Sequence, residues 1–179
     1  MSTSGRYHLI LSLMQPGHFR TAWRLPGHDP RVVLDIEYFA RITGHAERAK
    51  LHTVFLGDGP GASPAIAGGP EAGIDPTILF ANLFARTSRI GAIATSSTTY
   101  NEPYNLARRY SALDHVSGGR TAFNAVTTLN PTAAAAFGYA HEIPKSERYE
   151  RAEEFLEVIT ALWGAWDDDA IVADAESGI

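Results

Sequence analysis

Residues 89–120 read RIGAIATSSTTYNEPYNLARRYSALDHVSGGR, and this stretch decides the fold. Ile90 to Ala94 are small and apolar throughout, the pattern of a strand buried on both faces. Thr95, Ser96, Ser97, Thr98 and Thr99 follow as a lip of consecutive hydroxyls. Asn101 reads as a helix N-cap, with Pro103 tolerated in the first turn. Gly118-Gly119 reads as the stop of that helix. Together they make one β-α unit. Hydroxyls gathered where a buried strand surfaces either cap and hydrate a loop or hold a polar ligand.

The same unit recurs on both sides. Upstream, Thr53 to Leu56 form a short apolar strand that ends in Gly57-Asp58-Gly59-Pro60. Asp75-Pro76 is a cap-plus-proline pair, and the helix after it spans about Thr77 to Thr87 with Leu79, Phe80, Leu83 and Phe84 inward. Farther upstream, Tyr7 to Met14 (YHLILSLM) is a nearly unbroken apolar run and predicts a buried strand. Asp29-Pro30 then opens a helix from about Arg31 to Lys50, with Val32, Ile36, Phe39 and Thr43 at helical spacing. Downstream, Thr121 to Val126 (TAFNAV) form a further strand, and a loop with an alanine run leads to a helix from about Glu147 to Trp166. Its inward stripe is Phe155, Ile159, Leu162 and Trp166, and Glu147 can pair with Arg151 one turn on.

Strands alternating with helices imply a parallel sheet. Two architectures fit: a doubly wound open sheet, or half of an eight-fold β/α barrel, which normally takes ~250 residues. The first strand is followed by QPGHF, without the glycine fingerprint of a dinucleotide fold. Polar residues gather beyond the strand ends: His18, Asp58, Thr95, and Asn124 to Thr128. Both architectures place ligands there.

Composition narrows the classes. The chain has 179 residues, a net charge of −5 and no cysteine, which removes disulfides, thiolate metal sites and cysteine nucleophiles. Its basic residues are scattered, so no nucleic-acid or anionic-membrane partner is expected. The Leu9–Met14 run is too short for a signal peptide, no run approaches the ~20 apolar residues of a membrane span, and a cytoplasmic location is expected. Asp167 to Asp169 read as solvated acids rather than a metal site, and no nucleophile-elbow motif supports Ser/His/Asp hydrolysis.

ATSSTTYNEPYNLARRYSALDHVSGGR, TAFNAVTT and SERYERAEEFLEVITALW resemble, in that order, the nitrilotriacetate monooxygenase component A family of bacterial-luciferase-like flavin monooxygenases. Gly17-His18, Ala22-Trp23-Arg24 and Phe55-Leu56-Gly57-Asp58 are similar to it as well. The resemblance implies a parallel β/α barrel of the TIM type, with residues 1–179 as the N-terminal half of one truncated domain holding about the first four β-α units. It implies reduced FMN as co-substrate from a separate flavin reductase, O2 as oxidant, and transfer of one oxygen atom to a small organic substrate. A homo-oligomer is expected, because a half barrel leaves its outer strands as open edges. The competing expectations are a non-catalytic half-barrel remnant or interaction module, and a deazaflavin-dependent oxidoreductase.

The resemblance also assigns residues. Asp58 would accept a flavin-ring N–H, against an ordinary Asp-Gly turn role. Thr95 would bond the flavin edge, against a strand-end threonine tied to local backbone. Asn124, inside a strand, would meet a flavin carbonyl or the substrate, against a backbone-satisfied core amide. Tyr149 would lie at the flavin, and Lys145 stands where the family often carries a histidine. His18 and Trp23 would line the substrate pocket, against ordinary packing in a structured loop.

Overall fold

The computed structural model describes residues 7–14, 17, 19, 21–61, 73–167 and 169–178. Four strands, β1 (Ile10–Ser12), β2 (Thr53–Leu56), β3 (Gly91–Ser97) and β4 (Thr121–Val126), form one parallel sheet in the order β1-β2-β3-β4. The helices are α1 (Ile36–Arg48), α2 (Pro76–Phe84), α3 (Pro103–Ser117), α4 (Pro131–Ala136) and α5 (Lys145–Trp163). Each strand neighbours the next in sequence, with no reversal of order. A doubly wound sheet reverses at its switch point, so this order is barrel winding.

Right-handed crossovers that all advance one way place their helices on one side of the sheet. Residue alternation shows which side. Leu13, Val54, Ala92 and Ala94 are buried in one core with Phe39, Leu79, Phe80, Leu106, Leu113, Phe155 and Ile159. The intervening strand residues form the opposite face, in rows fixed by register: Ser12, Phe55, Ile93 and Ala122, then Thr95 with Asn124, then Ser97 with Val126. On this face Phe55, Ile93, Asn124 and Val126 are half-buried and Ala122 is exposed. Among the described residues helices cover one face alone, yet β3 is buried on both faces, at every position but the half-buried Ile93.

Several elements match their sequence signals. β2 and β4 keep the expected limits. Asp75 caps α2 by accepting from the Thr77 and Ile78 N–H groups, and Gly118 ends α3 in the left-handed region at φ 67°.

Others differ for local reasons. The first strand is three residues long and lies at the sheet edge, with Tyr7 89% exposed. The helix expected from Arg31 is broken: Pro30–Leu34 is a 3-10 turn, and Asp35 caps α1 by accepting from the Glu37 N–H at 2.9 Å. Asp29 does cap, but it caps that 3-10 turn. β3 runs on through Ser97, because Thr95, Ser96 and Ser97 pair with Asn124, Ala125 and Val126 of β4. Asn101 is not the cap of α3; its Nδ2 donates to the Ser97 carbonyl at 2.8 Å, and Glu102 takes the N-cap position with no side-chain bond. The alanine run is a helix, α4, capped by Asn130 with Pro131 at its first position. α5 ends at Trp163, so Trp166 is 71% exposed and leaves the inward stripe. Arg151 does not pair with Glu147; it reaches Glu102 at 3.6 Å and the loop after β3.

Candidate functional site

The C-terminal ends of β3 and β4 set the site. Thr95 and Asn124 are register partners, so both side chains stand on the face without helices. Asn124 Nδ2 donates to Thr95 Oγ1 at 2.9 Å, and Thr95 is only 2% exposed. That bond uses one of Asn124's two N–H donors. It leaves the second N–H, the Oδ1 acceptor and the Thr95 hydroxyl proton available.

The rest of the hydroxyl lip divides in two. Ser97 Oγ accepts from the Thr99 and Tyr100 N–H groups at 3.1 and 3.2 Å, which folds the chain over after β3. Ser96 faces the helices and meets the Tyr110 hydroxyl at 3.2 Å, while Tyr110 donates to the Ala94 carbonyl at 2.8 Å. Burial pushes the Tyr110 phenol up to about 12, partly offset by Ser96, so it stays a neutral donor. Thr99 Oγ1 and Thr128 Oγ1 are buried without a partner. Arg151 holds the turn by donating to the Thr98 and Asn101 carbonyls at 3.2 and 3.1 Å.

Asp58 lies two residues beyond β2 and keeps solvent access. The atoms packed around its carboxyl nevertheless raise its pKa, and the Asp75 charge adds to this. Lys145 and Tyr149 stand one turn apart at the start of α5, with Nζ 5.7 Å from the ring centroid, and Tyr149 is exposed rather than packed. Trp23 is half-buried in the 3-10 turn Ala22–Arg24, with its indole N–H buried and unpartnered. His18 lies outside the described residues. The structure thus joins Thr95 to Asn124 and Lys145 to Tyr149 by direct contact. It shows no hydrogen bond from Asp58 or Trp23 to either pair among the described residues.

Two features of this end carry no sequence signal at short range. Arg151 acts across about fifty residues, and a single arginine in a helix announces no distant carbonyl. The second is an aromatic group: Tyr100 stacks on Phe137 with centroids 4.9 Å apart and 9° between planes, and Tyr139 tilts onto Tyr100 at 5.8 Å.

A separate cavity of about 440 Å³ opens near the start of β4, lined by Tyr110, Asp114, His115, Phe123 and Trp163 among others. None of the site residues lines it. Among the described residues no group of three or more His, Asp or Glu is placed to hold a metal, and no helix is long and apolar enough to cross a membrane.

Residues 14–176 match the family model described as luciferase-like monooxygenase. Nitrilotriacetate monooxygenase component A of Aminobacter aminovorans is 38% identical over 87% of this chain and 37% of its own length. Among solved structures, EDTA monooxygenase from Chelativorans sp. BNC1 superposes with a TM-score of 0.87 at 36% identity, over 96% of this chain and 42% of that one. A riboflavin lyase solved with modified FMN and its substrate riboflavin superposes with a TM-score of 0.81 at 37% identity, over 96% and 40%. The chain spans about two fifths of the length of the relatives it matches.

Proposed function

The chain belongs to the luciferase-like monooxygenase family, and on that premise we propose that it carries the flavin-contacting wall of an FMN-dependent monooxygenase. The observation that carries this is the Thr95–Asn124 pair at 2.9 Å, on the face of the sheet without helices and at the strand ends where barrels bind ligands. When bound, reduced FMN supplies the activation of O2 and the oxygen atom delivered to a small organic substrate.

The residues present fit such a group. A flavin's polar ring edge alternates carbonyls with an N–H. Asn124 offers one N–H and Oδ1 to that edge, and Thr95 offers a hydroxyl proton. Thr99 and Thr128 have buried hydroxyls that want partners. Asp58 would accept a ring N–H, and its raised pKa reflects a site that disfavours charge. Lys145 and Tyr149 would bound the ring from α5, and Trp23 would line the substrate side. Their task is to bind, orient and exclude water. A separate flavin reductase is the partner that a component A relative points to. The open edges of β1 and β4 would be covered by further β/α units, in the same polypeptide or in a second copy.

Titration of FMN into the protein, read by flavin fluorescence, tests this. Wild type should saturate, and Asn124→Leu should weaken binding by roughly 10-fold or more, since a lost bond in a buried polar site costs about 1–3 kcal/mol. Absence of binding at millimolar FMN would sink the proposal for this chain.

A further inference from the structure

Two contact pairs, Thr95 with Asn124 and Lys145 with Tyr149, stand on different elements, and one side chain ties those elements together. Arg151 lies on α5, two residues past Tyr149. Its Nε donates to the Thr98 carbonyl at 3.2 Å and its Nη2 to the Asn101 carbonyl at 3.1 Å. Both carbonyls belong to the turn that continues β3 beyond Thr95, and Thr98, Thr99 and Tyr100 in that turn are buried. Backbone carbonyls of a buried turn need donors. One planar guanidinium bridges two of them, three residues apart, in a fork that a lysine ammonium does not have.

Little else holds this end of α5. Its N-terminus has no side-chain cap. Arg148 donates at 2.7 Å to the Ile143 carbonyl, just before the helix, and reaches no other element. At the far end the Trp163 indole N–H donates to the Ala107 carbonyl of α3 at 3.1 Å. Among the described residues Arg151 and Trp163 make the side-chain hydrogen bonds that leave α5 for a distant element. The acids facing Arg151 are Glu102, at 3.6 Å, and Glu154, which lines with it a cavity of about 200 Å³. Glu102 is 74% exposed, so solvent screens that ion pair. The two carbonyl bonds, not the pair, fix the guanidinium.

We propose that Arg151 is a positioning residue for flavin binding: it straps α5 to the turn after β3 and so fixes the Lys145–Tyr149 side relative to the Thr95–Thr99 side. The proposal rests on the monooxygenase reading and assigns a residue that touches neither flavin nor substrate. With the strap in place the two sides are set before the ligand arrives. Without it the ligand must order them on binding, and that ordering is paid in affinity.

FMN titration of three variants, each shown folded by circular dichroism, tests it. Arg151→Met keeps the apolar stem and loses both carbonyl bonds, and should weaken FMN by about tenfold, the scale of one hydrogen bond from a charged donor. Arg151→Lys keeps the charge beside Glu102 without the fork, and should still weaken FMN by about threefold or more. Glu102→Gln removes only the screened pair and should bind FMN like wild type. Arg151→Met or Arg151→Lys binding like wild type would reduce Arg151 to a surface charge and overturn the proposal. Glu102→Gln weakening FMN as much as Arg151→Met would overturn it too, by making the ion pair the active element. Wild type that binds no FMN strikes instead at the monooxygenase reading. The strap is then judged on the flavin-free protein, where Arg151→Met should shift the amide resonances of Thr99, Tyr100 and Tyr149 together and leave Leu79 and Phe80 unmoved. Shifts confined to α5 would overturn it.

Discussion

The two faces of the one sheet are made from the same strands and do different work. On the covered face Leu13, Val54, Ala92 and Ala94 meet helices and are almost fully buried. On the open face, one residue away along each strand, Phe55 and Ile93 are half-buried and Thr95 and Asn124 bond each other. A period of two separates them, so neighbouring residues belong to different problems. The covered face holds the fold together.

Substitution at the centre of the covered side should show the largest effect. Phe80 is fully buried beneath the sheet, and Phe80→Ala should cost about 3–5 kcal/mol by urea unfolding. Phe55→Ala on the open face should cost less than half as much, because part of its surface is already in water. Equal losses would mean that the two faces are equivalently packed.

Glu47 sharpens the contrast from the helix layer. Its Oε1 accepts from the Ser88, Arg89 and Ile90 N–H groups at 2.9, 2.7 and 3.1 Å, tying α1 to the entry of β3. Partial burial works to raise its pKa, and the three donors overcome this and hold it below the usual glutamate value. A carboxylate with a depressed folded pKa stabilises above its unfolded value, about 4.3. That contribution is lost as pH falls through the folded pKa. Glu47→Gln keeps the accepting oxygen and removes only a solvent-screened charge, so it should lower stability at neutral pH by no more than about 1 kcal/mol and flatten the acid limb of the stability–pH curve below about pH 4. An unchanged acid limb would contradict the assignment.

Of similar size is a matched pair of side-chain changes across the sheet. Tyr110→Phe removes the hydroxyl that donates to Ala94 on the covered face and should cost about 1 kcal/mol with FMN affinity unchanged. Thr95→Val on the open face should change stability by no more than about 1 kcal/mol, yet weaken FMN. If Tyr110→Phe weakened FMN and Thr95→Val did not, the roles of the two faces would be reversed.

The sequence made the covered face legible, because hydrophobic spacing and caps act locally. Asp75-Pro76, Leu79 to Phe84 and Gly118-Gly119 lie where the pattern placed them. The same local rules failed where a long-range partner intervened. The hydroxyl lip reads as a loop until β4 pairs with it and extends β3 to Ser97. Asn101 has the composition of a cap, but the Ser97 carbonyl takes its side chain instead. Arg151 looked like half of a helix-surface pair and is a clamp on a turn fifty residues away. α4 was legible in principle, since Asn130-Pro131 repeats the cap-plus-proline signal of Asp75-Pro76. Of the candidate site, Thr95 and Asn124 were named from the sequence, but their contact required the register of two strands.

The central claim is that cofactor binding belongs to the open face. Amide chemical-shift mapping of the isotopically labelled protein during FMN titration tests it most directly. The account predicts shifts concentrated at Asp58, Thr95 to Thr99 and Asn124 to Thr128, with Leu79, Phe80 and Leu106 unmoved. Shifts concentrated instead around Tyr110, His115 and Trp163, at the cavity on the helix side, would contradict it.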